Sequence, residues 1–383
     1  MMRQRRGPVS RLWMLVRAFW KHRKYASAMF WFTLGPPMMA MTRLMLALDY
    51  VFYPELRSLE IDRPVLILGH PRSGTTFLQR QIYGSHTAGM FTTWELLFPS
   101  LVQRRILSPF VWALNKMDLG IVQTSEYGHE IRIAGVEEDE GIFIHRLDTE
   151  ILTLNCPWLL TDPEFCETGF RLGWLSRWER RTSARFYREI LKRQVIATGH
   201  NRLVLKCNVS VFRLREILET FPDIRIVYVV RAPDAALQSY LAFAHRFAAP
   251  LLNDAELRDY TVRKYEWSCA LYRTFERLRG CIPEDQLLVV TFEEISQRIS
   301  DTLNRFFTFA DLAPSDRFWR EFAKRRSSRH RKRHVNEPLE AFGITSAEVR
   351  REFAFVWDRY LEPEPTPTES PRPDRDNAPA GAP

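Results

Sequence analysis

Four short apolar runs, at residues 65–68, 202–206, 226–230 and 286–291, set the rhythm of the middle of the chain. Each is nearly unbroken rather than alternating, the pattern of strands buried on both faces of a parallel sheet. Between them lie longer stretches with helical spacing. One begins at Thr75 or Thr76, another at Pro233, where a proline suits the first turn and Asp234 suits the positive end of the dipole. A third covers about 254–279. Residues 109–150 also read as helices, and 345–360 as a closing amphipathic helix. Strand alternating with helix predicts an α/β fold of three layers, with a central, mainly parallel sheet and helical insertions.

The two ends depart from this pattern. Residues 1–48 carry nine Lys/Arg and no acidic residue, and without them the chain holds 46 basic and 46 acidic residues, so the net charge of +9 belongs to this segment. The same stretch contains Trp13, Phe19, Trp20, Phe30, Trp31, Phe32 and several methionines. Its longest uncharged run, 26–42, is broken by Gly35, Pro36 and Pro37 and falls short of the ~20 apolar residues of a spanning helix. Two arrangements fit residues 1–53 best, helices lying on an anionic membrane surface or an apolar cover on the domain; a signal anchor or an acid-poor transit peptide is a third, less favoured one. Residues 54–361 are long enough for one large domain, and 362–383, rich in proline and acidic residues, read as a disordered tail.

Chemistry concentrates after the first strand, in His70-Pro-Arg-Ser-Gly-Thr-Thr76. A strand, a glycine-bearing loop and a helix start form the arrangement that cradles phosphate, with backbone N–H groups and the helix dipole facing the anion. The spacing Gly69-x-x-x-x-Gly74 matches a nucleoside-triphosphate loop of P-loop type, yet Thr75 stands where that loop needs lysine. None of the other strands ends in the aspartate that would hold magnesium. A kinase or NTPase is disfavoured on both counts. The second and third strands instead end in Lys206 and Arg231, which puts cations in the crevice where open α/β sheets bind ligands.

The sequence Pro71-Arg72-Ser73-Gly74-Thr75-Thr76 resembles the 5′-phosphosulfate loop of the sulfotransferases that use 3′-phosphoadenosine 5′-phosphosulfate (PAPS). It is similar to the branch with Pro-Arg-Ser-Gly-Thr-Thr, shared with tyrosylprotein and many bacterial sulfotransferases, and the likeness runs from about Pro54 to about Tyr360. The resemblance implies transfer of a sulfuryl group from PAPS to a hydroxyl, less readily an amine, without a metal. It implies that Arg72, Ser73, Gly74, Thr75 and Thr76 grip the 5′ end of the nucleotide and that Arg231 with Ser239 binds the 3′-phosphate. Arg72 and Lys206 would stabilise the charge of the transferring group. For the general base it points to Glu95, twenty-three residues after Arg72; Glu138, Asp139 and His129 are the rivals.

The acceptor stays open among lipid, carbohydrate, small alcohol or phenol, and peptide tyrosine. The rival in another class is a non-catalytic nucleotide- or membrane-binding protein on the same fold. The aromatic stretch 156–178 suits either an acceptor pocket or core packing. Seven Lys/Arg between Lys324 and His334 form a solvated run or a lid over the 3′-phosphate. With no interleaved aromatic residues, they give no nucleic-acid signature. Five scattered cysteines with no C-x-x-C pair suit a reducing compartment, hence a cytoplasmic protein that could lie on the inner membrane face. One bridge, Cys156 to Cys166, stays open, and the sequence carries no signal for an oligomeric state.

Overall fold

The computed structural model describes residues 7–117, 121–123, 131–162, 165, 175–327 and 337–361. The expected tail at 362–383, His129, Cys166 and the basic run after Ser327 lie outside these residues, as do 163–164 and 166–174 of the aromatic stretch.

All four apolar runs become strands of one parallel sheet. They are β1 (Val65–Gly69), β4 (Val204–Lys206), β5 (Arg225–Val230) and β6 (Leu287–Thr291), in the order β4–β1–β5–β6. Val65 faces Val204 on one side and Arg225 on the other, and Ile226 faces Leu287. Because side chains alternate across a strand, each run feeds two cores. Leu66, Leu68, Leu205, Ile226 and Tyr228 point into one, with Tyr187, Ile190, Leu271 and Phe275 from the helices Arg177–Thr198 and Asp254–Arg279. Val65, Ile67, Val204, Val227 and Val229 point into the other. There they meet Leu78 and Ile82 of α4 (Thr75–Tyr83) and Phe306 and Phe307 of the helix Ile299–Ala310. This is the expected three-layer α/β architecture. Both sheet faces are covered.

The helices expected over 109–150 are only partly formed. The helix α6 (Leu101–Lys116) ends early, and β2 (Ile121–Gln123) pairs antiparallel with β3 (Ile131–Arg132). Asp139–Arg146 is 3₁₀. Gly135 and Gly141 interrupt the helical period there, and the Gly135 N–H closes a turn on the Arg132 carbonyl. The closing helix is also shorter than expected, Ser346–Glu352, followed by a brief helical turn and a π-helical end.

Residues 7–52 form three helices, α1 (Pro8–Lys21), α2 (Tyr25–Thr33) and α3 (Gly35–Phe52). One face of α1 packs on the rest of the chain. Leu12, Leu15 and Phe19 pack with Trp158, Leu159 and Phe165. Arg11 is buried against Asp148 at 3.4 Å and Glu179 at 3.0 Å. Asp49 of α3 accepts from Arg193 Nε at 2.7 Å, from Ser100 Oγ at 2.7 Å and from the Val102 N–H at 3.0 Å, so it caps α6 from a neighbouring helix. No described helix is long and apolar enough to cross a membrane.

Candidate active site

Sheet geometry brings the loop after β1 and the residues after β4 and β5 to one edge. Two glycines shape the loop. A Cβ on Gly69 would stand 2.6 Å from the Val229 carbonyl oxygen, so only glycine lets β1 lie this close to β5. Gly74 has φ +93° and a Cβ there would meet Phe292 at 3.1 Å. Gly74 is also the N-cap of α4, and no side chain caps that helix. Its first-turn amides, which a helix cannot satisfy internally, are therefore available to an anion. The Ser73 N–H is already spent on the His70 carbonyl at 3.1 Å, which leaves Gly74, Thr75 and Thr76 as the cradle.

The cations form two groups around this cradle. Lys206, with its side chain almost wholly buried, donates to Thr76 Oγ1 at 2.9 Å and pairs with Glu138 at 3.0 Å. Glu138 is held in turn by the Asn208 N–H at 2.8 Å. In the second group Arg72 Nε donates to Ser239 Oγ at 3.1 Å, and Arg231 donates to the Arg72 carbonyl at 2.8 Å. Aromatic faces lie beneath both guanidinium groups: Phe243 is 5.6 Å from Arg72 and Phe292 is 4.3 Å from Arg231. Burial lowers the pKa of Arg72, and the like charges of Arg231 and Arg246 lower it further. Burial lowers that of Arg231 as well. Crowded, partly desolvated cations of one sign favour a polyanionic ligand, because it relieves their repulsion.

Arg72 itself has φ +71°, a left-handed conformation that costs a non-glycine residue energy and is found where the surrounding structure enforces it. Below it His70 is fully buried, accepts or donates at Ser268 Oγ (2.9 Å) and stacks on Tyr272. Burial pulls its pKa down to about 3, so it is neutral and structural.

Of the sequence-derived site residues, Arg72, Ser73, Gly74, Thr75, Thr76, Lys206, Arg231 and Ser239 are brought together. Glu95 is engaged elsewhere. It forms a capping box at the start of α5 (Thr93–Leu97), accepting from the Thr92 N–H and Oγ1, both at 2.7 Å. Arg104 lies 3.8 Å from its other oxygen. The carboxylate beside Lys206 is that of Glu138. The pattern Thr92-x-x-Glu95 carried this signal in the sequence. Asp139 is fully buried, accepts from the Tyr187 hydroxyl at 2.6 Å, and is pushed by burial up to about 8.

A strand–loop–helix anion cradle, flanked by buried cations at the carboxyl edge of a parallel sheet, defines a group-transfer site for an anionic donor. The particular family follows from comparison: the model of the sulfotransferase family matches residues 64–316, and the chain belongs to that family. Its fold is similar to the crystal structure of sulfotransferase STF9 from Mycobacterium avium, at 17% identity and TM-score 0.66, over 83% of this chain and 82% of that one. It is also similar to sulfotransferase STF1 from Mycobacterium tuberculosis H37Rv, at 18% identity and TM-score 0.62, over 86% and 87%. No curated protein matches by sequence.

Proposed function

We propose that this sulfotransferase moves a sulfuryl group from PAPS to an acceptor hydroxyl, with its own cations supplying the positive charge. The observation that carries the reading is the pairing of two cationic groups across one cradle: Lys206 on Thr76, and Arg72 on Ser239 beside Arg231. The donor would bring the sulfuryl group already attached to a good leaving phosphate. Amides of Gly74, Thr75 and Thr76 would hold its 5′-phosphate, and Arg231 with Ser239 its 3′-phosphate. Arg72 and Lys206 would stabilise oxygen charge that grows during in-line transfer, the kind of preorganised electrostatics that contributes most in a desolvated site.

An attacking hydroxyl must lose its proton within hydrogen-bond reach of a base. Glu138 is the carboxylate already beside Lys206, and we assign the role to it in preference to Glu95, whose near oxygen serves the α5 cap. Residues 1–53 would seat the enzyme on an anionic membrane surface, with 54–361 as the catalytic domain. The nine cations and no acidic residue among residues 1–48 support that seating.

The donor assignment is tested by calorimetry with 3′-phosphoadenosine 5′-phosphate in magnesium-free buffer. It should bind far more tightly than AMP, and Arg231→Ala should remove most of that preference, since charge-assisted bonds to phosphate are strong. Equal affinity for AMP and the bisphosphate would overturn the 3′-phosphate assignment.

A further inference from the structure

The inner faces of α1 and α3 are spent on the domain, but α2 is apolar all round and buries only Ala28. Such a helix has to find cover outside its own chain. Tyr25, Met29, Phe30 and Phe32 of α2 are each about half exposed, and exposed apolar residues continue on both neighbours, as Trp13 and Trp20 on α1 and Met38, Met41 and Leu44 on α3. Exposed apolar residues also occur past residue 53. The helix α6 packs against α3 and exposes Ile106 and Phe110, one turn apart on one side of it. Exposed apolar residues clustered in this way mark a binding face.

Between α1 and α2 this surface opens into a cleft of about 610 Å³, within the range of ligand pockets. Its walls are Trp13, Val16, Ala28, Met29 and Phe32, and it reaches in to Phe165. The polar residues on it are Arg17, Lys21 and Asp162, with Lys21 half exposed and 2.9 Å from Asp162. Apolar walls with two cations and one carboxylate, a net positive charge, suit a hydrocarbon chain attached to an anionic head. They do not suit a sugar or a nucleotide, which would need several hydrogen-bond partners. The charge of the segment selects the same partner: residues 1–48 hold nine basic residues and no acidic one, and eight remain once Arg11, buried against Asp148 and Glu179, is set aside.

We propose that α1, α2, α3 and α6 together form a docking face for an anionic bilayer, and that the cleft between α1 and α2 takes one acyl chain of an anionic lipid from it. This deepens the surface seating proposed above and rests on it. The proposal adds a helix outside the N-terminal segment and a defined lipid subsite.

Three measurements on the full chain test it. First, the protein should sediment with phosphatidylcholine vesicles containing phosphatidylglycerol at low salt, and much less with pure phosphatidylcholine. Ile106→Ser/Phe110→Ser should weaken the binding severalfold while thermal unfolding stays cooperative. Second, monomeric lysophosphatidylglycerols of increasing chain length should gain about fourfold in affinity per methylene, the value of one buried CH₂, until the cleft is full and the gain stops. Third, Met29→Trp, which adds volume at the cleft wall, should remove that gain yet leave affinity for 3′-phosphoadenosine 5′-phosphate unchanged. Vesicle binding with no dependence on chain length overturns the cleft and keeps the surface. Equal binding to neutral and anionic vesicles, or a stable dimer that ignores vesicles, overturns the docking face. Lipid binding without nucleotide preference would instead sink the donor assignment and leave this proposal standing.

Discussion

Glutamine at position 138 keeps the shape of Glu138 and removes its ability to take a proton. The side chain now pairs with Lys206 at 3.0 Å and accepts the Asn208 N–H at 2.8 Å, and an amide oxygen can keep the second contact. If Glu138 is the base, turnover should fall by about 10²–10⁴, the usual worth of a positioned general base. That corresponds to roughly 3–5 kcal/mol added to the barrier. Nucleotide affinity should hold or rise, because a negative charge has left an anion site. Glu95→Gln is the paired control. Glutamine still completes a capping box with Thr92, so stability should change by less than about 1 kcal/mol and turnover by only a few-fold. The assay is single-turnover sulfuryl transfer from radiolabelled donor, with the acceptor found by mass spectrometry of treated extracts. A loss of a hundredfold or more in Glu95→Gln, with Glu138→Gln near wild type, would refute the assignment.

Other outcomes follow from the framework. Gly69→Ala forces a Cβ to 2.6 Å from a strand carbonyl that cannot retreat, and should lower stability by about 1–3 kcal/mol in denaturant titration. Asp49→Ala leaves Arg193 buried without its 2.7 Å carboxylate partner and removes the acceptor of the Leu101 and Val102 N–H groups of α6, so a loss of about 3–5 kcal/mol is expected, read as a lower thermal midpoint. Asp139, raised to about 8 in the fold from 3.8, keeps a proton that the unfolded chain releases. This group therefore makes stability fall as pH rises from about 4 to about 8. Asp139→Asn should flatten that part of the pH–stability curve and be relatively more stable than wild type at pH 8. A parallel curve would show that Asp139 ionises normally.

The sheet was legible because each strand is buried on both faces and so reads as a near-continuous apolar run. The order β4–β1–β5–β6 was not, since it depends on how the crossovers run rather than on any strand's composition. At the site, Lys206 and Arg231 could be placed because they fall at strand ends and Arg72 because it lies in the loop after the first strand, whereas Ser239 came only from the family resemblance. The contact between Glu138 and Lys206 joins residues 68 positions apart and leaves no local pattern. Glu95 was the opposite case: its spacing from Arg72 suggested chemistry, while the shorter pattern Thr92-x-x-Glu95 already announced a helix cap. Leu12, Leu15 and Phe19 of the N-terminal helices pack on Trp158, Leu159 and Phe165. Which of the segment's apolar residues stay exposed depends on packing that composition does not encode.

The left-handed backbone at Arg72 sets two selective pressures against each other. At φ +71° glycine would be more comfortable by about 1 kcal/mol, and it would also remove a crowded cation. A library screened only for heat tolerance should therefore enrich glycine or asparagine at this position while discarding the guanidinium that reaches Ser239. Thermal selection would drift toward sturdier proteins with a weaker hold on the donor. Retention of arginine in a stabilised lineage would report that sulfuryl transfer, and not merely the fold, had been under selection.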